Sequence, residues 1–257
     1  MNRLAHCLVL ILLLIAFHTG VSAQSLAIYT EASPPGQIQG ANGEPAGPSV
    51  EVVREIQKRV GNTDPIQIVP WARGYMMLEN NPNTALFVVG RTAERNQLFQ
   101  WVGPIVEVTY SFYVKADSKL VIRSMEDAKK LKAIGVYRDD VRDQLLTKTG
   151  FTNLERTTDN VLNVKKLMAG RIDAITSSNL AVGSMIESAG FKREDLRDVF
   201  PLLRVQLWIA FSKGTPETTV SAWAKTFEAM KKDKTFEKIM KTGWPAWTPP
   251  GKPITSF

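Results

Sequence analysis

The sequence predicts an α/β fold of two lobes, each a mostly parallel sheet flanked by helices. Three observations predict it. Short β-rich runs alternate with segments whose apolar residues recur at helical spacing. The alternation falls into two blocks, residues 24–110 and 116–204. At 257 residues, the chain is long enough to bury a core in each block.

The elements follow in order. Leu26–Thr30 is a β-rich opening strand. A Pro/Gly-rich loop runs from Ser33 to Pro48, and Ser49 is placed to cap a helix. Val52, Val53, Ile56 and Val60 share one face of that helix, and Gly61 stops it. Ile66–Val69 is a second strand, Pro70-Trp71 turns out of it, and Arg73–Glu79 reads as a helix. Ala85–Val89 is apolar throughout, as a strand covered on both faces must be. In the second block, Ser111–Lys115 is a strand, and Ser124 with Asp127 three residues on starts a short helix. Ala133–Tyr137 is a strand, and Asp139 or Asp140 caps a helix ending near Lys148. Asp159 precedes Val161, Val164, Leu167 and Met168 at helical spacing, with Gly170 as the stop. Ile172–Thr176 and Val205–Phe211 are strands. Val220, Trp223, Phe227 and Met230 share a helix face, as do Phe236, Ile239 and Met240, whereas Trp244 to Pro253 has no helical pattern.

The start of the chain has a different character. Arg3 precedes an unbroken apolar run from Leu8 to Phe17, followed by the small-x-small group Val21-Ser22-Ala23. This is the pattern of a secretory signal peptide over residues 1–23, cleaved after Ala23, and it implies a periplasmic protein. Ten apolar residues reach only about 15 Å as a helix, short of the roughly 30 Å of a bilayer core. His6, His18 and Cys7 all lie in this segment, and they are the only His and Cys of the chain. The remainder therefore excludes disulfides, Cys/His zinc sites and His-dependent triads. Losing Arg3 takes the net charge from +7 to +6, with Lys and Arg mixed among Asp and Glu. No dense basic block or aromatic RNA motif is present, which argues against nucleic acid as a partner.

Five segments, in order, resemble the bacterial extracellular solute-binding proteins of family 3, the polar amino-acid type serving ABC importers. They are IYTEASPP with GPSVEVVREIQKRVG, VPWARGYMMLE, GRTAERNQLFQWVGPI, KKLMAGRIDAI and LWIAFSKGTP. The resemblance covers nearly all of the chain after residue 23. It implies a type II-like clamshell that closes on a ligand by hinge motion, with no cofactor. Lobe one would be 24–112 plus 205–257 and lobe two 113–204, with crossings near Phe112–Val114 and Arg204–Gln206. The implied partners are a small-molecule ligand, an amino acid or organic acid, and an ABC permease or a membrane sensor.

The resemblance also implies site residues. Arg95 matches the family arginine that holds a ligand carboxylate, and a guanidinium fork suits that task. Thr92 and the backbone at Gly90 would add donors, although Thr92 also reads as a helix cap. Trp71 falls where the family places an aromatic platform, or it is a core tryptophan. Arg73 points into the same cleft or forms a surface ion pair. Glu31 accepts a ligand amine or faces solvent. Tyr137 and Arg138 belong to the strand-to-helix loop of lobe two. The family's acidic residue five positions after Asp173 is replaced here by Ser178. A serine cannot neutralise a buried ammonium ion, so an ordinary α-amino acid is disfavoured unless another acid, such as Glu31, stands in. Two other readings stay open. One is an enzyme of the same fold, dehydratase-like, with Glu31, Asp139 or Lys115 as acid or base. The other is a ligand-free sensor or adaptor.

Overall fold

A computed structural model describes residues 25–252. The signal peptide and its cleavage point lie outside the described residues. One eight-stranded sheet runs through the molecule, in the order β4-β1-β5-β10-β6-β9-β7-β8. Its first end is parallel: β1 (Ala27–Thr30) lies between β4 (Ile66–Ile68) and β5 (Thr84–Gly90). The other end is parallel too, with β7 (Ile134–Tyr137) between β8 (Leu154–Thr157) and β9 (Ala174–Ser178). Two antiparallel strands of 17 residues, β6 (Phe99–Lys115) and β10 (Leu196–Ser212), join the ends. Leu207–Phe211 of β10 pairs with β5, and Tyr110–Tyr113 of β6 pairs with β9. A separate two-stranded ribbon holds β2 (Ile38–Gln39) and β3 (Pro45–Ala46).

Helices cover both faces. Helix α1 (Pro48–Val60) buries Val50, Val53 and Ile56 against the sheet. Its partners are α8 (Glu217–Lys232), through Trp223 and Phe227, and α9 (Thr235–Gly243), through Phe236 and Met240. Trp223 meets Phe211 edge-on at 5.2 Å, and Phe236 meets Phe227 at 4.9 Å. Each such side chain contributes about 1.5–3 kcal/mol by leaving water. On the opposite face, α2 (Trp71–Asn80) packs Tyr75 and Leu78 against Leu86, Val89 and Phe99. The β7 end is covered by α6 (Asn160–Met168) and α7 (Val182–Ser188) on one side, and by Leu146 of α5 (Val141–Lys148) on the other. Two short helices, α3 (Ala93–Asn96) and α4 (Met125–Lys129), begin at side-chain caps, Thr92 and Ser124.

Several local readings hold. Asp140 caps α5, Asp159 caps α6, and Gly61 ends α1 in the left-handed conformation at φ 72°. Others change. Ser49 is not the cap of α1: it lies inside the helix, buried, and Pro48 already occupies the first turn after Gly47. Gly47 sits at φ 104°, and a Cβ there would stand 2.6 Å from the Gly36 carbonyl oxygen. The strands predicted as Ser111–Lys115 and Val205–Phe211 are the C-terminal parts of much longer β6 and β10. The Gly103-Pro104 break hides the start of β6, because no alternating pattern runs through it. β8 and α7 are too short to show a period. Among the described residues, no helix is long and apolar enough to cross a membrane.

Candidate functional site

The carboxyl ends of β1, β5, β7 and β9 converge on a cavity of about 260 Å³ between the two halves of the sheet. That is where open α/β sheets gather ligand groups, since loops and helix starts fan out there. Glu31 follows β1, Trp71 opens α2, Gly90 ends β5, Tyr137 ends β7, and Ser178 ends β9. All five line the cavity, together with Arg95 from α3.

Arg95 is buried, with its guanidinium 4.7 Å from the centre of the Tyr75 ring and 5.4 Å from that of Trp71. Its donors are spread over three acceptors. Nε donates to Gln144 Oε1 at 3.1 Å, Nη1 to the Gly90 carbonyl at 3.4 Å, and Nη2 to the Asp139 carbonyl at 3.3 Å. A guanidinium has five N–H groups, so two remain. The Asp139 carbonyl also accepts from Trp71 Nε1 at 3.1 Å and from Gln144 Nε2 at 3.2 Å. Asp139 reaches this pose at φ 60°, a left-handed conformation that Asp tolerates better than most residues. Side chains from the β1–β5 end thus grip one carbonyl from the β7–β9 end.

Further contacts span the same gap. Lys148 pairs with Glu94, and this ion pair holds the Glu94 carboxyl down at about 2. Ser184 Oγ donates to the Pro34 carbonyl at 3.0 Å. The Tyr137 hydroxyl hydrogen-bonds the Glu31 carboxylate. Glu31 is half-buried, and loss of water, then the nearby Asp140 charge, raises its carboxyl from 4.5 to about 7. Arg142 and the Tyr137 hydroxyl pull the other way without cancelling this.

The lobe-two wall centres on a buried pair that sequence reasoning missed. Asp140 Oδ1 caps α5 by accepting from the backbone N–H of Arg142 at 2.8 Å and of Asp143 at 3.2 Å. Its Oδ2 accepts from Arg142 Nε at 2.6 Å. Arg142 Nη1 donates to the Thr176 carbonyl at 2.8 Å, and its guanidinium lies 4.8 Å from the centre of the Tyr110 ring. Burial pushes the Tyr110 hydroxyl up to about 12, so the ring remains a neutral platform. The signal that could have found Arg142 is its place two residues after a capping aspartate, where a side chain can fold back to its own cap.

Three expected site residues lie elsewhere. Arg138 is exposed, because the turn after β7 points it outward and buries Asp140 and Arg142 instead. Arg73 is exposed on the outer side of α2, two residues round the helix from Trp71. Thr92 spends its hydroxyl capping α3, accepting from the Arg95 N–H at 3.4 Å, and faces a different cavity. Ser178 reaches the wall, where its Oγ accepts from the Ala181 N–H at 3.0 Å. Val88, half-buried in the wall, takes φ 67°, beside a register shift in the β5–β10 pairing. That conformation is strained for a β-branched residue, and such bulges re-aim side chains beside binding sites. Among the described residues, no group of three His, Cys, Asp or Glu could hold a metal ion.

Comparison with known proteins agrees with this geometry. The family model described as bacterial extracellular solute-binding proteins, family 3, matches residues 26–244. A histidine kinase sensor domain with similarity to periplasmic binding proteins is similar at TM-score 0.78 and 19% identity, covering 88% of this chain and 98% of that one. An arginine-binding protein from T. maritima is similar at TM-score 0.74 and 19% identity, covering 86% and 95%. The substrate-binding protein of an amino acid ABC transporter gives 0.72 and 17%, covering 86% and 99%. At these identities the likeness shows the fold. No curated protein matches the chain.

Proposed function

The chain belongs to the bacterial extracellular solute-binding proteins of family 3, and from that premise we propose that it captures a small polar, carboxylate-bearing solute for an ABC importer. The observation that carries this reading is the cavity itself. It lies between two sheet halves joined through β6 and β10, and its wall groups come from both. Two N–H groups of Arg95 with no acceptor among the described residues suit a carboxylate. Glu31, with no arginine or lysine paired to it among the described residues, suits an amine or guanidine. Ser178 carries no charge for that task, so Glu31 stands in for the acid missing there. An amino acid or organic acid fits this division, and the arginine-binding neighbour supports a ligand with a cationic end. The lobes are taken as 24–112 with 205–257, and 113–204. Export to the periplasm with cleavage after Ala23 completes the reading, and binding proceeds without turnover.

Thermal unfolding of protein stripped of solute by unfolding and refolding tests it. The panel holds amino acids, carboxylates, polyamines and sugars. A ligand at about a hundred times its Kd adds roughly 2.7 kcal/mol, several degrees at this size. Arg95→Ala abolishes the rise with carboxylates, and an unchanged affinity in that variant refutes the assignment. The similarity to a histidine kinase sensor domain favours one alternative, a membrane sensor as partner. Cross-linking in membranes to a kinase rather than a permease would establish it.

A further inference from the structure

A second cavity, of about 300 Å³, lies behind the first. Val141 lines both, and the Arg95–Gln144 hydrogen bond lies between them. Its floor is apolar: Val141 and Leu145 of α5, Leu203 and Val205 of β10. Its charged lining residues are Arg91, Lys148 and Arg204 against one carboxylate, Glu94, which Lys148 already pairs. Arg204 is paired in turn with Glu107. Arg91 is different. It is half-buried, its guanidinium lies 4.6 Å from the centre of the Trp208 ring and 5.5 Å from that of Trp101, and no carboxylate pairs with it among the described residues. Nε and Nη2 both donate to one neutral acceptor, Asn96 Oδ1, at 2.8 and 2.7 Å. Three of its five N–H groups therefore have no acceptor among the described residues. Loss of water lowers its pKa, as expected of a cation held between rings without a counter-ion.

We propose that this cavity binds a small organic anion with an apolar body, the carboxylate on Arg91 and the hydrocarbon on Val141, Leu145, Leu203 and Val205. The match is chemical on both counts. A carboxylate supplies the counter-ion and the acceptors that Arg91 lacks, at a site where a charge-assisted bond is stronger than in water. A flat hydrocarbon covers a floor that otherwise faces solvent. Arg91 to Glu94 belong to the β5 side and Val141 to Lys148 to the β7 side, so the bound anion touches both halves and is coupled to their relative position.

Calorimetric titration of the purified protein with 1-naphthoate, and with uncharged 1-naphthamide, tests this. The acid binds at least tenfold more tightly than the amide. Arg91→Met, which keeps an apolar stem between the two tryptophans, removes that preference. Leu145→Trp fills the floor and weakens the acid at least tenfold. Arg95→Ala leaves the acid bound. The proposal is overturned if the acid does not bind, if the amide binds equally, or if Arg91→Met binds as wild type does. Loss of binding in Arg95→Ala with retention in Arg91→Met would place the acid in the first cavity and also overturn it. Should either Arg91→Met or Leu145→Trp fail to fold, the other, set against Arg95→Ala, still decides which cavity holds the acid.

Discussion

Replacing Glu31 by Gln tests the electrostatics of the first cavity in the absence of any ligand. The carboxyl titrates at about 7 in the folded chain because burial, and then the Asp140 charge, oppose ionisation, while the unfolded chain has the ordinary 4.5. Below 4.5 the group is neutral in both states and costs nothing. As pH rises from 4.5 to 7 the unfolded state loses its proton first, so stability falls. Above 7 the full cost is present, about 3 kcal/mol. For a chain of this size that is roughly 6–12 °C in Tm. Gln keeps the size and a hydrogen bond to Tyr137 but has no proton to lose. The expected result is equal Tm for Glu31→Gln and wild type near pH 4.5, with the variant higher by roughly that amount at pH 8. The chain after residue 23 contains no histidine to titrate in the same window. Differential scanning calorimetry in steps across pH 4.5–8.5 reads it out. Parallel Tm profiles for the two proteins would refute the placement of Glu31 in a partly dehydrated, acid-facing wall.

Other perturbations have distinct expected outcomes. Asp140→Ala removes a cap and strands buried Arg142, costing about 3–5 kcal/mol by chemical denaturation, whereas Asp140→Asn, which still caps, costs less. Gly47→Ala forces a Cβ toward the Gly36 carbonyl at positive φ and lowers the unfolding free energy by more than about 1 kcal/mol. Lys148→Ala breaks an exposed pair with Glu94, so it changes Tm little at any salt concentration. A cationic ligand paired to Glu31 returns that carboxyl toward its ordinary value, so its affinity rises with pH up to about 7 in calorimetric titrations.

Much of this architecture is written locally. The caps at Ser124, Asp140 and Asp159 are single polar residues just before helical segments, and each bonds as its position suggests. Glu31, Trp71, Gly90, Arg95, Tyr137 and Ser178 reach the cavity because they end strands or begin helices, but it is the family resemblance, not the alternation, that singles them out. What the local pattern hides is direction. Arg138 and Arg142 sit four residues apart on one turn-and-helix segment. Which of them faces inward depends on the left-handed turn at Asp139 and on the Thr176 carbonyl across the sheet. Arg91 and Tyr110 are hidden similarly, since their roles come from β10 and α5, more than thirty residues away in sequence. The length of β6 is lost to the Gly103-Pro104 interruption, and only pairing with β10 carries the strand through it.

The long strand pair also imposes an order on assembly. Phe99 bonds opposite Ser212, and Lys115 opposite Leu196, so β6 waits for a partner that leaves the ribosome only after the whole intervening segment. The β7–β8–β9 end has its own strands and helices by residue 191, and its apolar clusters add only Leu196, Val199, Phe200 and Leu202 from β10. The β4–β1–β5 end does not: its neighbouring strand β10 and its covering helices α8 and α9 come last. Contacts this distant in sequence slow folding, since the loop must close before any pairing offsets its entropy. The segment synthesised first is therefore the one completed last.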